Sequence, residues 1–569
     1  MEFGRTTRDG ALLFPNVESR FLPESEHLPQ LSFGSPQLDY AQSDAPLNAC
    51  QALLDATVAR VGPNHRAMAR VGPGTPEYWT YGEVLDRVNR LAAGLRRHGV
   101  QAGDRVLVRM PDVPEAAVAQ LAVWRLGGIV VPSSVLEMAR ELAFMLNDTE
   151  ASTVICSTAH EGELTAALAE TPTVQRIVGW PDASAHDLSM DLLSEGSGEH
   201  VPPHPTRPLD ASGIYYTGGT TGQPKGCLHT HAAEVALADL NNEVRGADET
   251  SVFLTHAPIG HAFGNGEKIN FPLRAGALAV FVDRPTAADM WALLREFGVT
   301  SMAGAATMYR MMLADPPPSK ETLGLPLRNA LSSGEALDAA THERWAQRMP
   351  SPLRNGVGMT PMRHIFLDAD AGPPGPPPGL TVGRPLPGYE ARLLGKDGAM
   401  APFGEAGQLA VRGPSGITYW INTHPGVLER SRQDVVNGWS ILDDAYLRDE
   451  HGWLWFHGRL DDMIVTGGRQ VAPIEVERVL ATHPDVAEVA VVPAPDALRG
   501  QVVTAFVRLQ PDRPSGPGTT QQLQDFCKSQ MAAYKYPRRI EYVDELPKDP
   551  VGKLQRRKLR DLLRAEAPS

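Results

Sequence analysis

Cysteine is scarce in this chain of 569 residues, and the four present, Cys50, Cys156, Cys227 and Cys527, show neither CxxC spacing nor a nearby histidine pair. That argues against a disulfide framework and a zinc site, and leaves reduced, mostly buried thiols. No uncharged apolar run reaches the ~20 residues that span a bilayer, so no membrane partner is expected. Residues Met1 to Gln30 mix Arg, Glu, Asp and Pro without a continuous hydrophobic stretch. They lack the layout of a secretory leader, and the expected location is cytoplasmic. Positive charge is in deficit, with 53 Lys and Arg against 67 Asp and Glu and a net charge of −14. Nucleic acid is disfavoured as a partner, because binding a phosphate backbone draws on clustered cations. The basic run Arg556, Arg557, Lys558 reads as a solvated helix face, and there is no short-period repeat.

What is present is a globular composition, 42% apolar and 21% charged. The length exceeds the ~250–300 residues at which a single core stops growing, so at least two domains are expected. Val84, Leu85, Val88, Leu91, Ala92 and Leu95 recur at helical spacing within Thr80 to Leu95, and the apolar run Val106 to Val108 follows. A second helical stretch, Glu115 to Leu126, stops at Gly127 and Gly128 before the run Ile129 to Val131. Strand, helix, strand in this rhythm predicts a parallel α/β sheet. The rhythm recurs at Ser152 to Cys156, Ala277 to Val282 and Val299 to Ala303. The Pro- and Gly-rich Ala371 to Leu380 is a surface loop. From Asp461 the pattern restarts, with a helix at Ile474 to Ala481 and strands at Val486 to Val492 and Val502 to Leu509. The predicted fold is α/β, with a large N-terminal domain of layered sheets over 1–460 and a small α+β C-terminal domain over 461–569.

The most distinctive local feature is Tyr216-Thr217-Gly218-Gly219-Thr220-Thr221-Gly222-Gln223-Pro224-Lys225-Gly226, entered from an apolar strand and read as leading into a helix. Glycines let backbone N–H groups converge on an anion, hydroxyls bond phosphate oxygens, and Lys225 adds charge. A triphosphate suits such a loop, although the Walker pattern is not matched in it. By itself the loop is also compatible with a plain glycine-rich turn.

Further along come Ser332-Ser333-Gly334-Glu335-Ala336, Asn355-Gly356-Val357-Gly358-Met359-Thr360, Asp444, Gly458-Arg459 and Pro547-Lys548-Asp549-Pro550-Val551-Gly552-Lys553. This series resembles the adenylate-forming superfamily of acyl-CoA synthetases, luciferases and peptide-synthetase adenylation domains, over about residues 47 to 560. Met362 to Phe366, Val382 to Glu390 and Tyr534 to Pro537 are most similar to benzoate and 2-aminobenzoate CoA ligases. The resemblance implies ATP, Mg²⁺ and CoA, and an aromatic, amino- or hydroxy-substituted acid as small-molecule partner. It also allows a homodimer, for which no interface is legible.

Carried over by position, Thr217, Gly218, Gly219, Thr220, Thr221, Gly222 and Lys225 would hold the β- and γ-phosphates. Gly334, Glu335, Asn355 and Gly356 would line the adenine, and Asp444, with Asp443 beside it as the alternative, would bind the ribose with Arg459. Lys553 would be the catalytic cation at the α-phosphate, the alternative being a surface lysine. His261 would close the aryl pocket during adenylation, the alternative being a structural histidine. Phe263, Gly264, Glu267, Lys268 and Gly358 would complete that pocket. Asp461 is at the hinge position, an exposed linker aspartate being the plain alternative. The loop Gly467, Gly468, Arg469 would serve the second half-reaction.

Three departures from the family pattern are visible. Thr360, the expected Mg²⁺-side residue, is followed by Pro361 where the family has glutamate, so a carboxylate is missing. Glu267 and Lys268 stand in a segment expected to be apolar; they form a pair, contact a polar substrate, or sit on the solvent side of a helix. Gly467 to Val471 differs from the usual Gly-Tyr-Asn type. The leading reading is an aryl-acid CoA ligase. The runner-up is an ATP-dependent diazotase that adenylates nitrite and passes it to an aryl amine. A non-catalytic nucleotide-binding protein is third.

Overall fold

The computed structural model describes residues 2–33, 38, 40, 45–183, 188–195, 200–217, 224–317, 319–369, 379–395, 397–422, 425–459, 462–466, 469–496, 499–548 and 554–565. Gly218 to Gly222, Asp461, Gly467, Gly468 and Lys553 lie outside them, as does most of the Ala371 to Leu380 loop.

The predicted layered body contains two seven-stranded sheets. The first runs, in spatial order, Lys225–Thr230, Ala211–Thr217, Ile129–Ser133, Arg105–Arg109, Thr153–Ser157, Arg176–Trp180 and Leu188–Ser189, parallel except for the hairpin of its first two strands. The second runs Leu353–Asn355, Asn329–Ser332, Ser301–Gly304, Val252–Thr255, Leu278–Phe281, Arg66–Arg70 and Glu77–Thr80, with an antiparallel pair at its far edge. Helix Tyr81–Arg97 starts where Thr80 and Glu83 form a reciprocal capping box, and it buries Val84, Val88, Leu91, Ala92 and Leu95. Helix Pro114–Arg125 is buried on every face, as its apolar sequence demands, because strands of both sheets flank it. The predicted strands therefore match the observed ones to within a few residues.

One local expectation fails. The segment after the glycine-rich loop is not a helix: Lys225–Thr230 is a strand paired with Ala211–Thr217, and helix His231–Arg245 begins only at the Thr230 cap. The alternation Gly226, Cys227, Leu228, His229 buries both faces of a strand, and Leu228 and Trp420 extend the pairing to the Thr418–Trp420 segment. The described strands on either side of the loop, Ala211–Thr217 and Lys225–Thr230, are thus antiparallel partners.

A five-stranded antiparallel sheet is formed by Glu390–Leu394, Ala406–Arg412, Trp439–Arg448, Val435–Val436 and Leu454–Arg459. The smaller C-terminal domain is a five-stranded sheet packed by helices Pro473–Ala481, Pro517–Gln530 and Arg556–Ala565. Its helix Arg556–Ala565 corrects the reading of a wholly solvated basic face: Arg557 and Lys558 are exposed, but Arg556 is ion-paired with Glu477 at 2.7 Å. All four cysteines are buried and free. Among the described residues no helix is long and apolar enough to cross a membrane.

Candidate active site

Parallel α/β sheets offer ligands the crevice outside the carboxyl ends of their strands. In the second sheet those ends are Thr255, Gly304, Ser332 and Asn355, and Ser332 is the ladder partner of both Gly304 and Asn355. Just beyond, Gly334 adopts φ +83, and nothing lies within 4 Å of where its Cβ would stand. One carboxylate oxygen of Glu335 accepts from the Thr307 N–H at 3.1 Å and hydroxyl at 2.8 Å, holding the first turn of helix Ala306–Ala314. Gly356 donates its N–H to the Ser332 carbonyl at 2.9 Å, and Gly358 packs so closely on the His364 main chain that a Cβ would lie 2.9 Å from its carbonyl. Thr360 opens a short 3-10 turn, and its carbonyl accepts from His229 Nε2 at 2.8 Å. Burial pushes the His229 imidazole down to about 3, so it donates as a neutral ring.

Of the residues expected at the phosphates, Thr217 and Lys225 face each other as ladder partners at the base of the hairpin. The Lys225 ammonium is half-buried and 5.6 Å from the Tyr419 ring centroid; burial, then the nearby Arg430, holds its pKa below the ordinary lysine value. A chain of contacts continues from there. The Tyr419 hydroxyl donates to Asp434 at 2.7 Å, Arg430 bridges Asp434 at 2.6 Å and Asp443 at 2.5 Å, and Arg459 reaches Asp443 at 3.4 Å. Asp443 is thus an ion-pair residue, whereas Asp444 is the ladder partner of Arg459, so the two expected ribose residues stand side by side. Arg469 is distant in the chain, on the C-terminal domain, 4.8 Å over the Tyr534 ring.

The expected aryl segment, Gly264 to Pro272, lies in a helical stretch from Ala262 to Ala275 that is interrupted by a π turn at Gly266–Asn270. Such turns are frequent at functional sites. His261 is half-buried at its N-cap and its carbonyl accepts from the Asn265 N–H at 2.9 Å. Phe263 stacks on His364 with centroids 5.3 Å apart and packs against Ala303, Leu331 and Ile365, so it reaches the strand ends. A Cβ on Gly264 would lie 2.2 Å from the Pro258 carbonyl, so this glycine serves close backbone packing.

Glu267 and Lys268 neither pair with each other nor face solvent. Both are buried, and each finds an opposite charge on another element. Arg245 holds Glu267 with two bonds of 2.7 Å; Asp112 holds Lys268 at 2.9 Å, and the Ala257 carbonyl accepts from Lys268 at 2.6 Å. Unpaired burial would cost several kcal/mol, and these partners offset it.

Arg363 and Glu234 were not singled out from the sequence. Arg363 follows the Thr360 turn at φ +70, an unusual conformation for a side chain with a Cβ, and its guanidinium is fully buried. It pairs with Glu234 at 2.7 Å, donates to Asn265 at 2.8 Å and to the Ala262 carbonyl at 3.0 Å, and lies 4.1 Å over the Tyr215 ring. One side chain therefore joins the Thr360 turn, the aryl segment and helix His231–Arg245. The available signal was a glutamate inside the apolar run Ala232-Ala233-Glu234-Val235-Ala236. In such a run a charge implies a buried partner.

A sequence model described as AMP-binding enzyme matches residues 55–419, and one described as AMP-binding enzyme C-terminal domain matches residues 475–553. The chain belongs to the AMP-binding enzyme family. Among relatives of this AMP-binding enzyme, a benzoate–CoA ligase of Thauera aromatica is 36% identical over 85% of this chain and 90% of its own length. A 3-hydroxybenzoate–CoA ligase of Aromatoleum sp. (strain CIB) is 30% identical over 85% of this chain and 92% of its own length. Among solved structures, the anthranilate CoA ligase AuaEII in complex with anthranoyl-AMP is similar with a TM-score of 0.83 at 30% identity, covering 92% of this chain and 98% of that one.

Proposed function

We propose that the protein is an ATP-dependent aryl-CoA ligase for an aromatic acid, with amino- or hydroxybenzoates as the favoured class. The observation that carries this reading is the Phe263 and His364 ring stack beside the strand ends, in a chain 36% identical to a benzoate–CoA ligase. The planar faces suit an aryl ring, since offset aromatic contacts add to area burial. In the first half-reaction an acid oxygen attacks the α-phosphorus of ATP and pyrophosphate leaves. In the second, the CoA sulfur attacks the acyl carbon, the bond to the phosphate oxygen breaks, and AMP departs.

Thr217, the loop to Gly222, and Lys225 are assigned to the β- and γ-phosphates, Gly334, Glu335, Asn355 and Gly356 to the adenine, and Asp444 with Arg459 to the ribose. Lys553 is assigned to the α-phosphate, where a positioned cation stabilises developing charge. Asp461 is the hinge at a boundary drawn between residues 460 and 461, and Gly467, Gly468 and Arg469 serve the thiol step. The donor set near Thr360 does not suit a protein-held Mg²⁺, because it offers a hydroxyl and Pro361 supplies no carboxylate. The metal would enter on the triphosphate, keeping its waters. The diazotase alternative is not favoured, because Glu267 and Lys268, which had suggested a charged pocket, are neutralised internally. The deciding experiment incubates the protein with ATP, Mg²⁺ and aminobenzoates, with CoA in one tube and nitrite in another, and identifies products by mass spectrometry. An aryl-CoA thioester is expected. A diazo product that needs ATP and nitrite, with no thioester, would overturn the reading.

A further inference from the structure

Residues Asn16 to Phe21 precede every residue assigned to the site, yet they touch both sides of the hairpin that carries Thr217 and Lys225. That hairpin lies at the edge of its sheet, with Lys225–Thr230 as the outermost strand. An edge strand has a sheet neighbour on one side only, so what packs on its other side helps to set its position. On the inner strand, the Asn16 side-chain amide engages both main-chain groups of Ala211, the first residue of Ala211–Thr217. It accepts from the Ala211 N–H at 2.7 Å and donates to the Ala211 carbonyl at 3.0 Å. Just before it, the Phe14 N–H donates to the Leu209 carbonyl at 3.0 Å.

On the outer strand the contact runs through Trp420. Its main-chain N–H donates to the Gly226 carbonyl at 2.8 Å, and its Cβ is 3.3 Å from where a Cβ on Gly226 would stand. Its indole N–H donates to the Asp148 carbonyl at 2.8 Å. Phe21 is buried and stacks on this indole, with centroids 4.3 Å apart and planes 18° from parallel, and its carbonyl accepts from the Ile421 N–H at 2.7 Å. The Arg20 guanidinium lies 3.8 Å from the Phe21 centroid and is held by Glu150 through bonds of 3.1 and 2.9 Å. Gly226 follows Lys225, and Tyr419, whose ring the Lys225 ammonium approaches, precedes Trp420. A shift of Trp420 therefore reaches the lysine in two ways, along the strand and through the Tyr419 ring.

Between Thr217 and Lys225 the sequence contains Gly218, Gly219 and Gly222, and glycine has the most backbone freedom to lose. Ordering such a stretch on a ligand costs conformational entropy, and rigid ends lower that cost. We propose that Asn16 and Phe21 are positioning residues for ATP, which set the spacing and direction of Thr217 and Lys225 towards the β- and γ-phosphates without touching the ligand. This rests on the assignment of the hairpin to the phosphates, and adds to it a brace supplied by the N-terminal segment.

The test is the affinity of the full-length protein for Mg-ATP and for AMP, measured by isothermal titration calorimetry. Wild-type protein is compared with Phe21→Ala, Phe21→Leu, Asn16→Ala and Lys225→Ala, with thermal melting as the folding control. AMP lacks the β- and γ-phosphates, so its affinity does not report on the hairpin. Phe21→Ala should weaken ATP binding about 10-fold and AMP binding less than about twofold, and Asn16→Ala should weaken ATP binding several-fold. Phe21→Leu, which keeps apolar volume but loses the ring face, should fall between wild type and Phe21→Ala. An unchanged ATP-to-AMP affinity ratio in Asn16→Ala and in whichever Phe21 variant folds, even with a lower melting temperature, makes the segment purely structural and overturns the proposal. An unchanged ratio in Lys225→Ala overturns the phosphate assignment and the brace with it, whereas a ratio that falls in Lys225→Ala alone overturns only the brace.

Discussion

Two regions of the molecule hold charge and use it in opposite ways. On the hairpin side, Lys225, Arg430, Asp443 and Arg459 are half-buried, joined in a chain that leaves them within reach of solvent. On the aryl side, Glu234, Arg245, Glu267, Lys268 and Arg363 are buried and each is neutralised within the protein. The first arrangement suits a ligand that brings its own negative charge, since half-solvated cations remain available to it. The second fixes backbone geometry in the segment assigned to the aryl ring, and a broken pair there exposes a bare charge to a low dielectric.

This contrast is sharpest under substitution. The largest expected effect is on the aryl side: Glu234→Ala leaves Arg363 buried without its counter-charge and should lower unfolding free energy by about 3–5 kcal/mol in a denaturant titration. A change within ~0.5 kcal/mol, typical of surface sites, would show that the pair is not the anchor described here.

Acid should act next, through the buried neutral histidines. His229 and His231 have folded pKa values pushed down to about 3 by burial, below an unfolded value near ~6.5. A depressed folded pKa gives stability that is present above the unfolded value and lost as pH falls towards 3. Unfolding free energy should therefore drop between pH 6.5 and 4, by ~1.4 kcal/mol per pH unit for each histidine once well below pH 6.5. The His231 Nδ1 accepts from the Ala49 N–H at 3.1 Å, so His231→Gln, which keeps an acceptor, should flatten that limb by about one proton. A limb equally steep in the variant would assign the protons elsewhere.

Lys553→Ala should cut ATP–pyrophosphate exchange ~100-fold or more with the melting temperature unchanged, as expected for a cation acting on transferred charge. Normal AMP formation would remove Lys553 from its assigned role. The smallest effect belongs to the chain under Lys225. Tyr419→Phe removes a single hydrogen bond to Asp434, worth about 1 kcal/mol, and should appear as a several-fold rise in KM for ATP with little change in stability. Equal losses in KM and stability would make that chain structural, like the aryl side.

Much of this was legible in the chain. Val84, Val88 and Leu91 at helical spacing, and short apolar runs ending in glycine, identify helices and parallel strands because periodicity and chain breakers act locally. The strand at Lys225–Thr230, between the glycine-rich loop and the helix expected after it, is not legible in the chain, since its partner Ala211–Thr217 and the Thr418–Trp420 segment lie on other parts of it. The Asp443 and Asp444 pair could not be divided by sequence either: Asp443 is ion-paired with Arg430 and Arg459, and Asp444 is the ladder partner of Arg459.

The sequence by itself determined the class of protein: a glycine and threonine loop, ordered motifs and a C-terminal lysine segment that need no tertiary contact to be read. Tertiary structure alone decided what each buried charge faces. Whether Glu267 meets solvent, substrate or Arg245 depends on a partner 22 residues away across a helix contact, and Arg363 meets Glu234 from 129 residues away. Desolvation makes such pairing obligatory, but the identity of the partner is fixed by packing, which no local pattern in the chain encodes.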